Sequence, residues 1–247
     1  MASSRRIGRA ISNGRVARLA ERFYPDRLTA DADEAFFHWI RSKLPERADV
    51  LEIGAGPGHT RVHGLRTTSR SVTGIDLDPA VLSNPSLTRA LVSGFETMPF
   101  PDEAFDAVIA NNVVEHLDDP VALVVASIRV LRKGGSLYLK TPNLDHYVGV
   151  AGRLTPHWFH VAYNHRRGRP EGETHRTRYR MNTVRAISRC AHRCGLDAEV
   201  RTFEGTPEYL ISNPGLFLAG VLYERAVNAA SLLRPFRCVL LARLTRV

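Results

Sequence analysis

The chain has 247 residues, of which 44% are hydrophobic and 24% charged, and its formal net charge is +9. That length suits one large α/β domain or a domain with an appended element, and the composition excludes a disordered or collagen-like polymer. Three cysteines, Cys190, Cys194 and Cys238, make no even disulfide framework and are read as free thiols in a reducing cytoplasm. The positive balance is nearly all arginine, since lysine occurs only at Lys43, Lys133 and Lys140. A basic balance favours nucleic acid, anionic lipid or phosphorylated partners, whereas an arginine-rich coding bias would give the same charge with no partner. The arginine-bearing start has no continuous apolar core, so no secretory signal is expected. The longest uncharged run, Tyr209 to Tyr223, is broken by Asn213-Pro214-Gly215 and falls short of the roughly 20 residues of a membrane span.

Residues 1–30 form a basic extension. Arg5, Arg6, Arg9, Arg15, Arg18, Arg22 and Arg27 alternate with Ile7, Ile11, Val16, Leu19 and Phe23 at rough helical spacing. The plain reading is an N-terminal helix with a solvated face, and the sharper one is a basic helix meeting phosphate or a membrane. A second helix is expected over Asp31–Leu44, with Phe36, Phe37, Ile40 and Leu44 as its apolar stripe and Pro45 as its stop. Phe36, Phe37 and Trp39 are read as core first and as pocket walls second.

Ala48 to Ile53 is mostly apolar, as in a strand covered on both faces, and the carboxylate of Glu52 interrupts it. Gly54, Gly56 and Gly58 follow at alternate positions and remove every Cβ where a ligand would approach. The spacing is acid-x-G-x-G-x-G. A dinucleotide fingerprint needs its third glycine where this chain has His59, which weakens a nicotinamide-dependent oxidoreductase. A short helix over His59–Thr68 would offer backbone N–H groups to an anion. The strand Ser71–Ile75 then ends in Asp76-Leu77-Asp78-Pro79. Asp76 stands where a carboxylate can accept the ribose hydroxyls of an adenosine ligand, or else cap the next helix.

The stretch Asn84–Leu91 is a turn-rich link into Val92-Ser93-Gly94-Phe95-Glu96-Thr97-Met98-Pro99-Phe100. A fourth strand, Ala104–Ala110, runs into Asn111-Asn112-Val113-Val114-Glu115-His116. Helical spacing over Pro120–Leu131 leads to Lys133-Gly134-Gly135 as a C-terminal stop, and Ser136–Thr141 is the fifth strand. Alternating strands and helices of this kind predict a parallel sheet.

Five ordered landmarks carry a resemblance: the glycine turn, Asp76, the Met98-Pro99-Phe100 loop, Glu115-His116 and Lys133-Gly134-Gly135. Together they resemble the class I S-adenosylmethionine-dependent methyltransferases, and within them the type 11 group, over Asp49–Thr141. The resemblance implies a Rossmann-like α/β fold, a seven-stranded mostly parallel sheet with helices on both faces and the last strand antiparallel beside the sixth. S-adenosylmethionine is the implied methyl donor. Glu52, Gly54, Gly56 and Gly58 would hold its methionine end, Asp76 its ribose, Gly94 and Phe95 its adenine, and Leu77 belongs to the same cofactor-binding set. Asn111 and Asn112 would face the methyl group. Gly94 departs from the family pattern, because the usual aspartate that takes the adenine amino group is missing.

Leu144–Arg180 interleaves histidines, arginines and aromatics, including His146, His157, His160, Tyr163 and Arg166. In the resembling family this segment overhangs the active site, so a ring-bearing or anionic small-molecule acceptor is expected there. Single-stranded nucleic acid is a weaker reading of the same composition, and a solvated loop is the plain one. His116, His146, His157 and His160 are the candidate bases. Their spacing lacks the carboxylate or thiolate partners of a metal site, so none is expected.

A helix capped by Asn182 or Thr183 runs to Arg193 with Gly195 beyond it. The sixth strand is Ala198–Phe203 and the last Cys238–Leu244. The apolar insertion 207–235 reads as a helical hairpin or bent helix. It serves as a lid, a homodimer contact or a peripheral membrane surface. Residues 31–247 are thus read as the methyltransferase domain, with insertions at 144–180 and 207–235, in a cytoplasmic protein. The alternative is a degenerate module that keeps the fold and holds nucleic acid or anionic lipid.

Overall fold

The computed structural model describes residues 13–25, 31–58, 64–154 and 177–247, without the side chains of 151–154. In chain order the elements are α1 (Gly14–Phe23), α2 (Ala32–Arg41), β1 (Asp49–Ile53), α3 (Leu65–Thr68), β2 (Ser71–Asp76), β3 (Arg89–Val92) and β4 (Phe105–Asn111). They continue with α4 (Pro120–Val130), β5 (Leu131–Pro142), α5 (Tyr147–Leu154), α6 (Val184–Arg193), β6 (Leu196–Phe203), α7 (Pro214–Ala229) and β7 (Val239–Arg246).

The seven strands form one sheet in the order β3-β2-β1-β4-β5-β7-β6. β1 pairs in parallel with β2 and β4, β2 with β3, and β4 with β5. β7 runs the other way. Ser136 Oγ meets Thr245 Oγ1, while just past the end of β5 the Asn143 N–H donates to the carbonyl of Cys238, just before β7. The expected sheet, with its antiparallel last strand beside the sixth, is therefore present. Every residue of β1 is buried, as a central strand covered on both faces requires.

Two compact units share the chain. One contains Phe36–Pro142, Thr177–Arg201 and Leu240–Val247 and holds most of the sheet. Its core joins Leu51, Ile53 and Ile75 to Val108, Leu123, Leu139, Ile187 and Leu240. Phe36, Phe37 and Trp39 of α2 are buried in the same unit, as core residues are. Trp39 meets the Tyr138 ring edge-on and carries the Arg201 guanidinium over its face.

The other unit takes its described residues from 13–25, 31–35, 143–154 and 202–239. Its core is Val16, Ala20 and Tyr24 of the α1 segment against Phe217 and Val221 of α7. Inside it the Tyr24 hydroxyl donates to Glu224 Oε2 at 3.2 Å, and burial, with Glu224 beside it, pushes the phenol up.

Several expectations shift. Lys133-Gly134-Gly135 is not a helix stop: α4 ends at Val130, and Leu131 already pairs with Phe105 as the first residue of β5. The next pair is Ala107 with Ser136, so the four residues Arg132 to Gly135 bulge out of the ladder, and Gly134 supplies the positive φ (75°) this needs. The apolar insertion is one helix, α7, between two short 3₁₀ turns, Glu208–Leu210 and Ser231–Phe236, rather than a hairpin. Asn213 caps it, accepting from Gly215 and Leu216 N–H groups. Thr183, not Asn182, caps α6. Of the expected helix over His59–Thr68, residues 59–63 lie outside the described ones, and the remainder is α3. No helix among the described residues is long and apolar enough to cross a membrane.

Candidate active site

The glycine turn is built by the backbone itself. Gly54, Gly56 and Gly58 all have positive φ (72°, 51° and 89°), a region other residues enter only with strain. A Cβ on Gly54 would stand 2.5 Å from Val113 Cγ2, and one on Gly58 2.7 Å from Asn84 Oδ1. At Gly56 a Cβ would meet nothing nearer than Asp76 Oδ2, 4.0 Å away. That side of the turn is open, and it is the side on which Asp76 stands.

Asp76, at the end of β2, fastens this turn. Its Oδ2 accepts the Gly56 N–H at 2.8 Å and its Oδ1 the Asp78 N–H at 2.9 Å. The N–H groups of Gly54 and Ala55 both reach the Ile75 carbonyl. A carboxylate has about four acceptor positions, so two remain after these bonds. Asp76 does not cap the following 3₁₀ turn; Asp78 does, through Ala80 N–H.

Asn84 closes the turn from the other side. It is buried, and its Nδ2 donates to the carbonyls of Ala55 (3.0 Å) and Gly56 (3.1 Å), while Oδ1 accepts the Ser86 N–H. Nothing in the sequence distinguished Asn84 from an ordinary turn residue. The only signal was a lone asparagine before proline, and its partners lie 28 and 29 residues away.

Glu52 is 1% exposed on β1. Leu77 is 78% exposed, beyond the end of β2, and a Cβ on Gly94 would lie 3.5 Å from Leu77 Cδ2. Gly94 and Leu77 are therefore neighbours where β2 and β3 end, with the Ser93 N–H on the Asp76 carbonyl. The Phe95 ring is buried in the core cluster with Met98 and Phe100.

Asn111 is the last residue of β4 and accepts from Lys140 Nζ at 3.2 Å in a buried pair. Asn112 takes positive φ (56°) and its N–H donates to the Lys140 carbonyl. Glu115 is buried below them. The Thr141 hydroxyl donates to its Oε2 at 2.9 Å and in turn accepts from Asn182 Nδ2 at 2.6 Å. Burial pushes the Glu115 carboxyl up to about 7, with the Thr141 bond and the Lys140 charge only partly offsetting it. The Glu115 carbonyl also accepts the N–H groups of Arg178 and Tyr179, which pins the start of the segment entering α6. His116 follows Glu115 and is half-buried.

These residues all belong to the sheet-bearing unit. His146 belongs to the other. It precedes α5, and its Nδ1 accepts the Val148 N–H at 3.3 Å, which leaves the ring proton on Nε2. Nε2 is buried 3.4 Å from Glu204 Oε2. The Glu204 carboxylate accepts the Cys238 N–H at 2.8 Å. Tyr147 and Tyr223 stack around this pair, and burial with Glu204 nearby raises the Tyr223 phenol to about 12. The His146, Glu204 and Cys238 ligand atoms lie within 4.8 Å of one another. A metal on Nε2 would need the proton on Nδ1, the atom already taken as an acceptor, so the tautomer suits a donor facing Glu204. Sequence reading missed Glu204, which lies 58 residues from its partner. His157 and His160 lie outside the described residues.

Residues 51–139 match the family model described as "Methyltransferase domain". A probable S-adenosylmethionine-dependent methyltransferase of Mycolicibacterium smegmatis is 34% identical over 112 residues, 44% of this chain and 42% of that protein. A ubiquinone biosynthesis O-methyltransferase of Xanthomonas axonopodis pv. citri is 29% identical over 144 residues, 52% of this chain and 59% of that one. The match thus spans well under two thirds of either relative. Among solved structures, a SAM-dependent methyltransferase of Thermotoga maritima superposes with a TM-score of 0.59 at 15% identity, covering 94% of this chain and 97% of that one.

Proposed function

Because the chain carries a class I S-adenosylmethionine-dependent methyltransferase domain of the type 11 group, we propose that it transfers a methyl group from S-adenosylmethionine to a small-molecule acceptor. The observation that carries this reading is the fastening of the glycine turn to Asp76. A carboxylate with two acceptor positions left, beside a turn open at Gly56, fits the two ribose hydroxyls of the methyl donor. Glu52 and the glycines are assigned its methionine end, and Leu77 and Gly94 the flanks of its adenine. Phe95 supports that loop from the core. Asn111 and Asn112, at the end of β4, are assigned to the sulfonium side.

The donor supplies an activated methyl on a good, neutral leaving group, so the protein contributes chiefly by aligning the acceptor atom. The glycine turn, Asp76 and Asn84 do this by fixing where the donor lies. A base matters where the acceptor is a hydroxyl or an acidic carbon. Of the candidate histidines, His116 is assigned that role, because it belongs to the unit that holds the glycine turn and lies on the short 3₁₀ turn after Asn111 and Asn112. Glu115 is its positioning neighbour, held by Thr141. The acceptor is assigned to the class of small rings or anions that the basic and aromatic segment 144–180 would suit, and quinone-type rings are included on the strength of the Xanthomonas relative's name.

Titration calorimetry with S-adenosylmethionine and S-adenosylhomocysteine tests the cofactor assignment. Micromolar binding that Asp76→Ala weakens by about a hundredfold is expected. No binding of either compound by the folded wild type would refute it. Transfer of a tritiated methyl group into fractionated cell extract then identifies the acceptor.

A further inference from the structure

The unit built on α1 and α7 has an apolar outer surface that its own core does not explain. α7 buries Phe217, Gly220, Val221, Glu224 and Val227. One turn apart on another face stand Leu218 and Leu222, 38% and 72% exposed. The 3₁₀ turn that follows adds Leu232 and Phe236, 84% and 45% exposed. Single exposed leucines are ordinary, but several on one helix and on the turn packed against it mark a candidate docking surface.

The charges around it have one sign. Between Pro214 and Phe236 the sole acid is Glu224, which is buried, bonded to Tyr24 and Asn228 and paired with the Arg225 guanidinium at 3.3 Å. Arg225 and Arg234 are exposed in the same stretch. α1, packed on α7, exposes Arg15, Arg18 and Arg22 against a single acid, Glu21. Exposed apolar side chains and exposed guanidinium groups on the same packed elements match a layer of phosphate over hydrocarbon. α7 has 16 residues, too few to span a bilayer; it buries one apolar face against α1 and leaves a second apolar face outward.

We propose that this surface docks the protein on an anionic lipid bilayer. Leu222, Leu232 and Phe236 enter below the headgroups, while Arg225, Arg234 and the α1 arginines meet the phosphates. The proposal is independent of the methyl-transfer reading and of the cofactor site.

Vesicle co-sedimentation of the full chain tests it, with phosphatidylcholine liposomes alone or carrying about 30 mol% phosphatidylglycerol. Partition onto the anionic vesicles is expected to exceed that onto the neutral ones by about tenfold or more, and to collapse at high salt. The double variant Leu222→Glu/Leu232→Glu should lose about tenfold or more of the partition. Its thermal unfolding should match the wild type, since both side chains are exposed. Three results would overturn the proposal: no sedimentation with either vesicle, sedimentation of the double variant equal to wild type, or a wild-type dimer that ignores vesicles and that the double variant dissociates. The last would give the surface to a second copy of the chain.

Discussion

Asp76 and Glu115 are both carboxylates near strand ends, yet their surroundings give them opposite work. Asp76 is half-exposed and takes two backbone N–H groups, so it is suited to hold charge and to accept more donors. Asp76→Asn keeps the shape but presents an amide nitrogen to one of those N–H groups. S-adenosylmethionine affinity should fall by at least about tenfold in the same calorimetric titration. Glu115 is buried, and its carboxyl rises from 4.5 to about 7. In the unfolded chain the proton leaves near 4.5, whereas in the folded chain it stays until about 7. The stability it contributes is therefore complete below 4.5 and is lost as pH rises through about 7. Glu115→Gln cannot ionise and keeps its contact with Thr141. Its stability relative to wild type should grow across that window, by up to about 3 kcal/mol, in urea melts run at successive pH values. A flat difference between the two proteins would show that the buried carboxyl is not the titrating group.

Among elements, the turn after β1 shows what sequence patterning reaches and where it ends. The three glycines were legible because only glycine enters positive φ without strain, and the three recur at fixed spacing. Asp76 was legible because its place at the end of the second strand follows from counting. Asn84 was not, because an asparagine before proline marks turns everywhere and its two carbonyl partners are named only by the fold. Asn84→Ala removes both bonds inside a buried site. A loss of about 1–3 kcal/mol is expected, together with weaker donor binding, measured by thermal unfolding and calorimetry. The Lys133-Gly134-Gly135 stretch misled for a related reason. A helix with valine and leucine at its end continues into an apolar strand with no change of composition, so only pairing with Phe105 reveals that β5 has begun. Glu204 was beyond reach for a third reason, since a buried contact with His146, 58 residues away, leaves no local mark.

At the scale of the whole molecule, the parallel sheet was readable because strands and helices alternate under strict topological rules, the antiparallel last strand came with the family resemblance, and the strand order came from the structure. The helical unit was not, because its parts come from separate stretches with no shared periodicity. Its core is small, so one residue should matter. Phe217→Ala removes the ring that meets Tyr24 edge-on at 6.4 Å, and a loss of about 3–5 kcal/mol is expected. Hydrogen exchange should show faster amides in α1 and α7, while those of β1 and β4 keep their protection. Equal loosening of β1 would contradict the separate core.

The bond from Tyr24 to Glu224 joins residues 200 positions apart. On a ribosome adding about 5–20 residues each second, α1 leaves the exit tunnel many seconds before α7 exists. During that wait Val16, Ala20 and Tyr24 lack Phe217 and Val221, the α7 residues they pack on. The nascent chain thus carries an uncovered apolar face on α1 until α7 has been made, and a premature stop between the two would leave a product with that face bare for chaperones and proteases to recognise.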